Sequence, residues 1–570
     1  MPEAVRNFWS SDANARATLA RLAPVAAGRW SAELDGFGAW VAADVDAEAD
    51  YTDRHGRPKL ESYASDGRLT NRIVTNPLWD ACSAEAYRRG VVGLNYGADP
   101  APYAVTFAMG YLLSHADVSL HCPVTMTGAA AYVLDRFAPP AVKARWLPEL
   151  TRRDGRALTG GTWATEKHGG SDIGATTTVA RRDGPDWRLD GLKWFTSNVN
   201  GGLAVATARP EGAPSGSKGL GLYLVPTHLD GGAPNPMRIR RLKEKLGTCG
   251  VPTGEVDLTG TWAAEVAPPP DGFRLMMEAL EFSRIHNALS AAGLHRRAFL
   301  EALAYCERRE AFGGVIARYP MVQDELLKLL VQLEASVALA FEAASAFDRA
   351  HETPIAEADN EKRAWLRLAV ALAKYRTAEE VNVAARAAIE LIGGNGYTAD
   401  HVTPRLLRDA QVLTVWEGPA NIQALELLRL LEPRYGAFEL FRRRVSSAVE
   451  ASGSPEAGAV AAGLEDCAAA IAYIGRDAGR AQRHARRLLA LMADVMAAAL
   501  LVEEATAGLA RGDARKSLIL RLFIQTCLAR PARRGVGPET EWTGAAFAPL
   551  VRGEPVAAKI GSDPVFASTG

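Results

Sequence analysis

The sequence predicts a mainly α-helical protein with a small β-domain near its middle, and three changes in residue pattern indicate it. Residues 1–158 carry apolar residues at helical spacing, with polar loops between them. From 159 to 270 the pattern changes to short β-branched runs separated by turn residues. Long helical patterns return at 271–431, where their lengths suit an antiparallel bundle. Residues 432–570 add an Ala- and Arg-rich helical region and a tail, so four regions are expected.

Particular residues support the assignments in the middle of the chain. The runs Gly202–Ala208, Leu220–Pro226 and Gly254–Leu258 are apolar and rich in β-branched residues, so they predict strands. A helical pattern ends near Ile392, where Gly393-Gly394 supplies the left-handed position common just after a helix. We expect that helix to stop at this glycine pair.

Composition and charge are those of an ordinary globular protein, so any attraction to nucleic acid or acidic membranes would have to be local. At 570 residues the chain is too long for one hydrophobic core, and it has 48% hydrophobic and 23% charged residues. A formal net charge of -1 gives no overall attraction to nucleic acid or acidic membranes. The six cysteines are scattered without a CxxC pair, as in a reducing compartment. No apolar leader is present, and the run near Leu488–Leu501 is interrupted by Asp494, so we expect a cytoplasmic protein without a membrane partner.

Motifs of several enzyme classes are missing from the sequence. No GxGxxG follows an N-terminal strand, and there is no P-loop, no HExxH and no GxSxG elbow. The histidines lack metal-ligand spacing, and we interpret His121 beside Cys122 as a packed pair rather than as two ligands. We expect no metal site.

Two segments that could contact a cofactor lie in the predicted β-domain. Thr165–Asp172 has the sequence TEKHGGSD, whose glycines would let backbone N–H groups approach a ring or a pyrophosphate. An ordinary Gly-rich hairpin is the alternative. Lys193–Thr196 has the sequence KWFT, where the Trp indole supplies a flat apolar surface and the Thr hydroxyl can hydrogen-bond to a nitrogen atom of a ligand. A core Trp on a strand is the alternative for that segment.

Two further segments lie in the predicted bundle. Arg309–Gly313 (REAFG) begins with an Arg whose planar fork matches phosphate oxygens, although a surface Arg closing a helix has the same pattern. Gly393–Tyr397 (GGNGY) is followed by Arg408–Ala410 (RDA) and by Val415–Gly418 (VWEG). Taken alone, Glu417 would be a solvated residue at a helix start.

These four segments, in this order and at roughly this spacing, resemble the acyl-CoA dehydrogenase family. The resemblance is strong over residues 120–430 and is best to the AidB-type branch, which has segments like CPVTMTGAA, RLKEKLGT and VWEGPANI. It implies an N-terminal helical domain, a middle β-barrel or sandwich and a C-terminal four-helix bundle, with an extra helical region here. It also implies noncovalently bound FAD and assembly as a homotetramer.

The resemblance implies roles for single residues. Glu417 falls on the family's catalytic carboxylate, and Ser171 and Arg284 fall on substrate positions. Ser283 stands where some members carry the base and cannot serve as one, which favours Glu417. The cofactor-binding positions are Ala164, Thr165, Gly170, Ser171, Trp194, Thr196, Arg309, Phe312, Gly393, Gly394 and Asn421.

The family's chemistry indicates how these residues would act. A carboxylate removes the α-proton of an acyl thioester while a hydride leaves the β-carbon for the flavin. Trp416 and Trp194 would exclude water around Glu417. The expected partners are an acyl-CoA and an electron-transfer partner or oxygen. The sequence departs from the family pattern at three positions with FAD contacts, which implies an altered site: Pro320, Glu390 and Pro419.

The C-terminal region supports a second hypothesis. Arg476, Arg480, Arg483 and Arg487 recur at i, i+4, i+7 and i+11, which places them along one helical face. Such a stripe can contact DNA phosphates. The alternative is a solvated face that pairs with acidic residues at an oligomer interface. The AidB-type resemblance implies a flavoprotein that binds DNA and protects it against alkylation, with little dehydrogenase turnover. A nitroalkane-oxidase-like or monooxygenase-like flavoenzyme is a third hypothesis.

Overall fold

The structure is a computed structural model that describes residues 5–352, 359–452, 454–475, 477–528 and 543–556. The chain divides into two compact units. We call Ala32–His286 the β-containing unit, and we call Met1–Ser31 with Asn287–Gly570 the helical unit. The described residues are mostly helical, with a sheet in the middle of the chain, as the sequence predicts.

The α-helices of the described residues range from 6 to 38 residues in length, and the strands from 2 to 15. The helices are α1 (Ala13–Leu22), α2 (Pro24–Arg29), α3 (Ser31–Trp40), α4 (Asp46–Arg54), α5 (Pro77–Arg89), α6 (Tyr103–Ala116), α7 (Val118–Phe137), α8 (Pro140–Thr151), α9 (Asp271–Arg308), α10 (Pro320–His351), α11 (Asn360–Ile392), α12 (Thr403–Leu413), α13 (Ala420–Leu430), α14 (Ala437–Glu450), α15 (Ala457–Ile474), α16 (Ala478–Leu509), α17 (Arg515–Phe523) and α18 (Thr543–Arg552). The strands are β1 (Lys59–Tyr63), β2 (Leu69–Val74), β3 (Gly160–Trp163), β4 (Val179–Asp183), β5 (Asp186–Ser197), β6 (Leu203–Pro210), β7 (Gly221–Pro226), β8 (Met237–Leu242), β9 (Thr253–Ala267), β10 (Glu310–Ala311) and β11 (Gly314–Val315).

Strands β3 to β9 form one sheet that closes on itself. The order is β3-β6-β4-β5-β9-β7, with β8 paired to β9, and β6 also pairs with β7 and so completes the ring. Closure leaves few free edges and encloses a core. Trp163, Ala206, Tyr223 and Val256 are among its buried residues. Strands β6, β7 and β9 confirm the three strands predicted from the sequence.

The part of the β-containing unit before the sheet is helical, with one local departure. Helices α6 and α7 are buried over most of their length. Asp117 caps α7 by accepting a hydrogen bond of 2.7 Å from the backbone N–H of Ser119. Strands β1 and β2 form an antiparallel hairpin where the sequence predicted helix. Asn71 ties the hairpin to β8, since its amide donates to the carbonyl of Met237 (2.8 Å) and accepts from the N–H of Ile239 (2.9 Å).

The helical unit contains the bundle and the extra C-terminal helices together. Helices α10 and α11 are neighbours, and α16 packs against α10, α11 and α13. Glu334 on α10 is buried and pairs with Arg515 and Lys516 at the start of α17. Glu342, also on α10, pairs with Arg444 on α14 at 3.3 Å. Because breaking a buried pair is costly, these contacts make α14 and α17 integral parts of the helical unit.

One described helix, α15, is long and apolar enough to cross a membrane, with a mean hydropathy of 1.4. A third of it is buried, and a single such helix is weak evidence because core helices meet the same criterion. The apolar run noted from the sequence, 488–501, instead belongs to the mostly buried part of α16. All six cysteines are free thiols, and five of them are buried.

Candidate active site

A buried ion pair holds the TEKHGGSD loop against strand β5. The Nζ atom of Lys193 lies 3.0 Å from Oε1 of Glu166, and neither side chain is more than 2% exposed. Thr177 and Thr178 each donate a backbone N–H and a hydroxyl to the Glu166 carboxylate, over 2.6–3.1 Å. Lys193 also donates to the carbonyl of Thr207 at 2.8 Å. Both carboxylate oxygens therefore have donors, as a buried charge requires.

These contacts set the charge of Glu166. Burial acts to raise the pKa of Glu166, but the Lys193 ammonium and the hydrogen bonds from Thr177 and Thr178 outweigh it and bring the pKa to about 2. Glu166 is therefore ionised at neutral pH. It is an internal anchor for the loop rather than a group available for proton transfer.

Three predicted cofactor residues lie next to this anchor. The backbone N–H of Trp194 donates to the carbonyl of Thr165 at 3.0 Å, so the structure brings these two residues together. Thr196 is buried, and its hydroxyl donates to the carbonyl of Gly254 at 2.8 Å. Lys243, in the RLKEKLGT segment, places its Nζ atom 3.8 Å from the centroid of the Trp194 ring. A cation at this distance is attracted to the indole face and restrains it.

The other predicted residues of the β-containing unit differ in exposure. Ala164 is buried, whereas Gly170 and Ser171 are exposed in the loop. Arg284 is buried on α9. Ser283 beside it donates its hydroxyl to the carbonyl of Ala279 at 3.0 Å, so it is bonded within its own helix.

His121 lies in a buried chain of hydrogen bonds. Its Nδ1 atom lies 2.6 Å from the Ser114 hydroxyl, and its Nε2 atom lies 2.8 Å from Nδ1 of His286. Burial lowers the pKa of His121 to about 3, so the ring is neutral near pH 7.

Within the described ranges, no group of three or more His, Cys, Asp or Glu side chains is arranged to hold a metal ion.

In the helical unit, an open cavity of about 550 Å³ brings two predicted segments together. The guanidinium of Arg309 makes no hydrogen bond or ion pair with the residues that the structure describes. Gly393 has a φ of +74°, and a Cβ added at Gly393 or Gly394 would meet no atom within 4 Å. An Arg fork beside an open glycine backbone suits a pyrophosphate. The lining residues are Tyr305, Arg309, Ala311, Ile316, Leu391, Ile392, Gly393, Gly394 and Asn395.

The remaining predicted cofactor residues of this unit lie at the surface. Phe312 is 98% exposed and Asn421 is exposed at the start of α13.

Two of the three residues that depart from the family pattern lie at the starts of helices. Pro320 is the first residue of α10 and Pro419 immediately precedes α13, and Pro suits the start of a helix. The third, Glu390, pairs with Arg386 one turn earlier on α11.

Glu417 lies in the turn between α12 and α13 and has an unusual backbone. Its φ is +58°, in the left-handed region, and Gly418 follows with +91°. Glu417 and Trp416 are both half-buried. Gln423, buried on α13, donates its side-chain amide to the carbonyls of Glu417 (3.2 Å) and Gly418 (2.9 Å). Non-glycine residues rarely adopt this conformation, and those that do are often found at functional sites.

The structure places three of the four predicted DNA-contacting arginines on α16, and Arg476 lies outside the described residues. Arg483 and Arg487 are exposed. The guanidinium carbon of Arg480 lies 4.5 Å from the ring centroid of Tyr473. A second basic cluster on α14 is paired with carboxylates: Arg442 with Glu439, Arg443 with Glu361, and Arg444 with Glu342 and Glu503.

Sequence reasoning missed three residues that complete these arrangements. Tyr305 lines the cavity because it is one helical turn before Arg309, a spacing that could have identified it. Lys243 belongs to a segment used only for the resemblance. Gln423 had no sequence signal, because its role depends on the path of the turn that it spans.

Family models match most of the chain. The acyl-CoA dehydrogenase middle domain matches residues 161–261, and the acyl-CoA dehydrogenase C-terminal domain matches 270–431. The N-terminal domain of the adaptive response protein AidB matches residues 2–154. These matches follow one another in the order of the regions described above.

Individual relatives extend over the same regions. Acyl-CoA dehydrogenase family member 11 of Caenorhabditis elegans is 30% identical over 77% of this chain and 73% of its own length. The putative acyl-CoA dehydrogenase AidB of Escherichia coli (strain K12) is 31% identical over 67% of this chain and 71% of its own. The crystal structure of Caenorhabditis elegans ACDH-11 in complex with C11-CoA has a TM-score of 0.86 at 27% identity and covers 92% of each chain.

A helical region, a closed β-domain and a helix bundle, in this order, make up the acyl-CoA dehydrogenase fold. The chain belongs to the acyl-CoA dehydrogenase family and carries the AidB-type N-terminal domain. The predicted class, an oxidoreductase acting on CH–CH groups, and the predicted cofactor, FAD, are those of the family and are confirmed. The roles of single residues remain predictions.

Proposed function

We propose that the protein oxidises an acyl-CoA to its α,β-unsaturated form, with FAD as cofactor and Glu417 as the base. The observation that carries this proposal is the left-handed backbone of Glu417. By the sequence resemblance, this residue corresponds to the family's catalytic carboxylate. Such a conformation costs a non-glycine residue roughly 1–3 kcal/mol and persists only when the surrounding structure imposes it. A solvated Glu at an ordinary helix start would need no such constraint.

Two sets of residues, each within its own unit, have chemistry that suits FAD. In the helical unit, Arg309 has donors that no described residue uses, and with the open glycine pair it suits the pyrophosphate. In the β-containing unit, Trp194 supplies a flat apolar face on which the aromatic rings of FAD could stack, and Thr165 lies beside Trp194. A bound FAD would supply the acceptor for the hydride of the substrate's β-carbon.

The chain's own residues handle the proton. The α C–H bond of the thioester breaks, its proton goes to the Glu417 carboxylate, and a double bond forms to the β-carbon. Because the α-proton is weakly acidic, the carboxylate must be ionised, close to it and partly shielded from water. Glu417 is half-buried, and the neighbouring Trp416 would contribute apolar shielding. Arg284 and Ser171 are the proposed acyl-CoA contacts.

Anaerobic mixing of the FAD-loaded protein with acyl-CoAs of different chain length tests this function. C11-CoA is the first substrate to try, because it was bound in the ACDH-11 structure. We expect at least one acyl-CoA to bleach the visible absorbance of the flavin, and free CoA to leave it unchanged. If no acyl-CoA bleaches a fully loaded preparation, the proposed function is wrong.

We further propose a homo-oligomer, the tetramer of the family, that passes electrons to a partner protein or to oxygen. Large apolar side chains exposed on the helical unit support an interface: Phe312 (98%), Met321 (82%) and Tyr397 (81%). Sedimentation of the wild type and of Phe312→Ser tests this. We expect a tetramer that the substitution weakens, and a monomeric wild type would contradict it.

DNA binding is a second candidate function, supported by the exposed Arg483 and Arg487 on α16. Phosphate contacts release counterions, so the affinity should fall steeply as salt increases. We expect the double variant Arg483→Ser/Arg487→Ser to bind DNA more weakly than Arg386→Ser, a control on α11. The absence of binding by wild type at low salt would exclude this candidate.

A further inference from the structure

The turn that carries Glu417 combines two backbone conformations that need support. Glu417 has a φ of +58° and Gly418 a φ of +91°, and both residues lie between the end of α12 at Leu413 and the start of α13 at Ala420. A left-handed Glu is less stable than an extended or helical one. Some interaction must therefore favour the observed backbone over the alternatives.

Gln423 supplies that interaction. Its Nε2 atom lies 2.9 Å from the carbonyl oxygen of Gly418 and 3.2 Å from that of Glu417, and the residue is only 1% exposed. Only the NH₂ end of the amide can donate, and it has two hydrogens for the two carbonyls. The Oε1 atom is buried and has no hydrogen-bond partner in the described part of the chain. Burying an amide in this way is unfavourable unless its other end makes good bonds.

Gly418 is adapted to the same contact. A Cβ at this position would lie 3.0 Å from Nε2 of Gln423 and 3.1 Å from Cγ2 of Ile422, and the positive φ disfavours a side chain in any case. The Gln423 amide can therefore approach the turn closely only because residue 418 is Gly. Gly418 and Gln423 together stabilise the backbone conformation of Glu417.

The start of α13 does not need the Gln423 side chain. The backbone N–H groups of Ile422 and Gln423 already donate to the carbonyl of Pro419, at 2.8 and 3.2 Å. These two bonds close the first turn of the helix without the amide. The side chain is directed to the residues before the helix, and its effect is on the turn.

We propose that Gln423 is a positioning residue for the Glu417 carboxylate: its amide fixes the left-handed backbone at 417 and 418, and so fixes the direction in which the carboxylate leaves the chain. This inference rests on the proposed role of Glu417 as the base. Since a small misplacement of a catalytic group can cost about 10²-fold in rate, loss of the amide should affect the chemical step more than binding.

The test compares Gln423→Met, which keeps the length of the side chain and removes the donor, with Gln332→Met. Gln332 is a half-buried glutamine of the helical unit whose amide donates to Sγ of Cys527 at 2.8 Å. Two quantities are measured in the FAD-loaded proteins: amide hydrogen exchange of the peptide spanning the 417–418 turn, and the rate constant of anaerobic flavin bleaching by an acyl-CoA.

We expect Gln423→Met to exchange faster in the turn and to bleach roughly 10–100-fold more slowly, with unchanged FAD content and acyl-CoA affinity. Gln332→Met should match the wild type in both measurements. If Gln423→Met does not fold, Gly418→Ala disturbs the same contact from the opposite side and should give the same result.

Unchanged exchange in the turn of Gln423→Met would overturn the inference, and so would faster exchange without slower bleaching. The failure of the proposed function gives a different result. In that case no acyl-CoA bleaches the wild type, and the exchange measurement alone decides whether Gln423 holds the turn.

Discussion

The two units hold their predicted cofactor residues in opposite ways. In the β-containing unit, Thr165 and Trp194 lie next to the buried Glu166–Lys193 pair, whose polar groups are bonded within the protein. In the helical unit, Arg309 lines an open cavity, and its guanidinium has no bonding partner among the described residues. Contacts within the folded protein therefore hold Thr165 and Trp194 in place, whereas the Arg309 guanidinium still has hydrogen-bond donors for a ligand. Substitutions should therefore lower stability in the β-containing unit and ligand affinity in the helical unit.

The largest effect should come from Lys193→Met. Removing one partner of a buried ion pair leaves an uncompensated charge and costs about 3–5 kcal/mol. We expect this loss in the free energy of unfolding of the β-containing unit, measured by hydrogen exchange in denaturant. The matched control is Arg386→Met, because the Arg386–Glu390 pair is exposed by more than 60% at each side chain and should contribute at most about 1 kcal/mol. Equal effects of the two substitutions would contradict the comparison.

The complementary effect should come from Arg309→Met. Because Arg309 is exposed and not bonded to the described residues, its loss should change stability by no more than about 0.5 kcal/mol. Hydrogen bonds to charged groups contribute about 1.5–3 kcal/mol, so the dissociation constant of FAD should rise roughly 10–100-fold. FAD titration followed by tryptophan fluorescence measures this change. Arg308→Met is the control, since Arg308 does not line the cavity, and an equal loss of affinity in that variant would remove Arg309 from the site.

The pH dependence of stability also distinguishes the two units, with a smaller effect for each residue involved. Burial lowers the pKa of His121 to about 3 and that of its neighbour His286 well below the ordinary value, both in the β-containing unit. In the helical unit, burial lowers the pKa of His295 to about 4 despite its bond to the Leu329 carbonyl. These rings are neutral when folded, but below about pH 6.5 they take up protons in the unfolded chain. Stability is therefore complete above pH 6.5 and is lost as the pH falls toward the folded pKa values.

At pH 5 the loss is about 2 kcal/mol each for His121 and His295, and His286 adds a loss in the same direction. The β-containing unit, with two of these rings, should weaken more than the helical unit with one. Hydrogen exchange of each unit at pH 7 and pH 5 measures the difference. Equal weakening of both units would contradict this difference, and a gain in stability on acidification would contradict the neutral rings.

The predictions from sequence succeeded where local pattern decides the structure. The helix that ends at Ile392 and the strands β6, β7 and β9 follow from apolar spacing and turn residues. The β1–β2 hairpin was missed, because its strands are short and largely exposed and so carry little apolar alternation. The Glu166–Lys193 pair and the Gln423 contact with the turn depend on how distant or irregular segments meet. A single sequence does not contain that information.

The most direct test of the central claim is the rate of anaerobic flavin reduction in Glu417→Gln, measured with an acyl-CoA that reduces the wild type. The substitution keeps the size of the side chain and removes the base. We predict full FAD content and a rate constant lower by at least ~10²-fold, the low end for a lost general base. Reduction at the wild-type rate would contradict the assignment of Glu417 as the base.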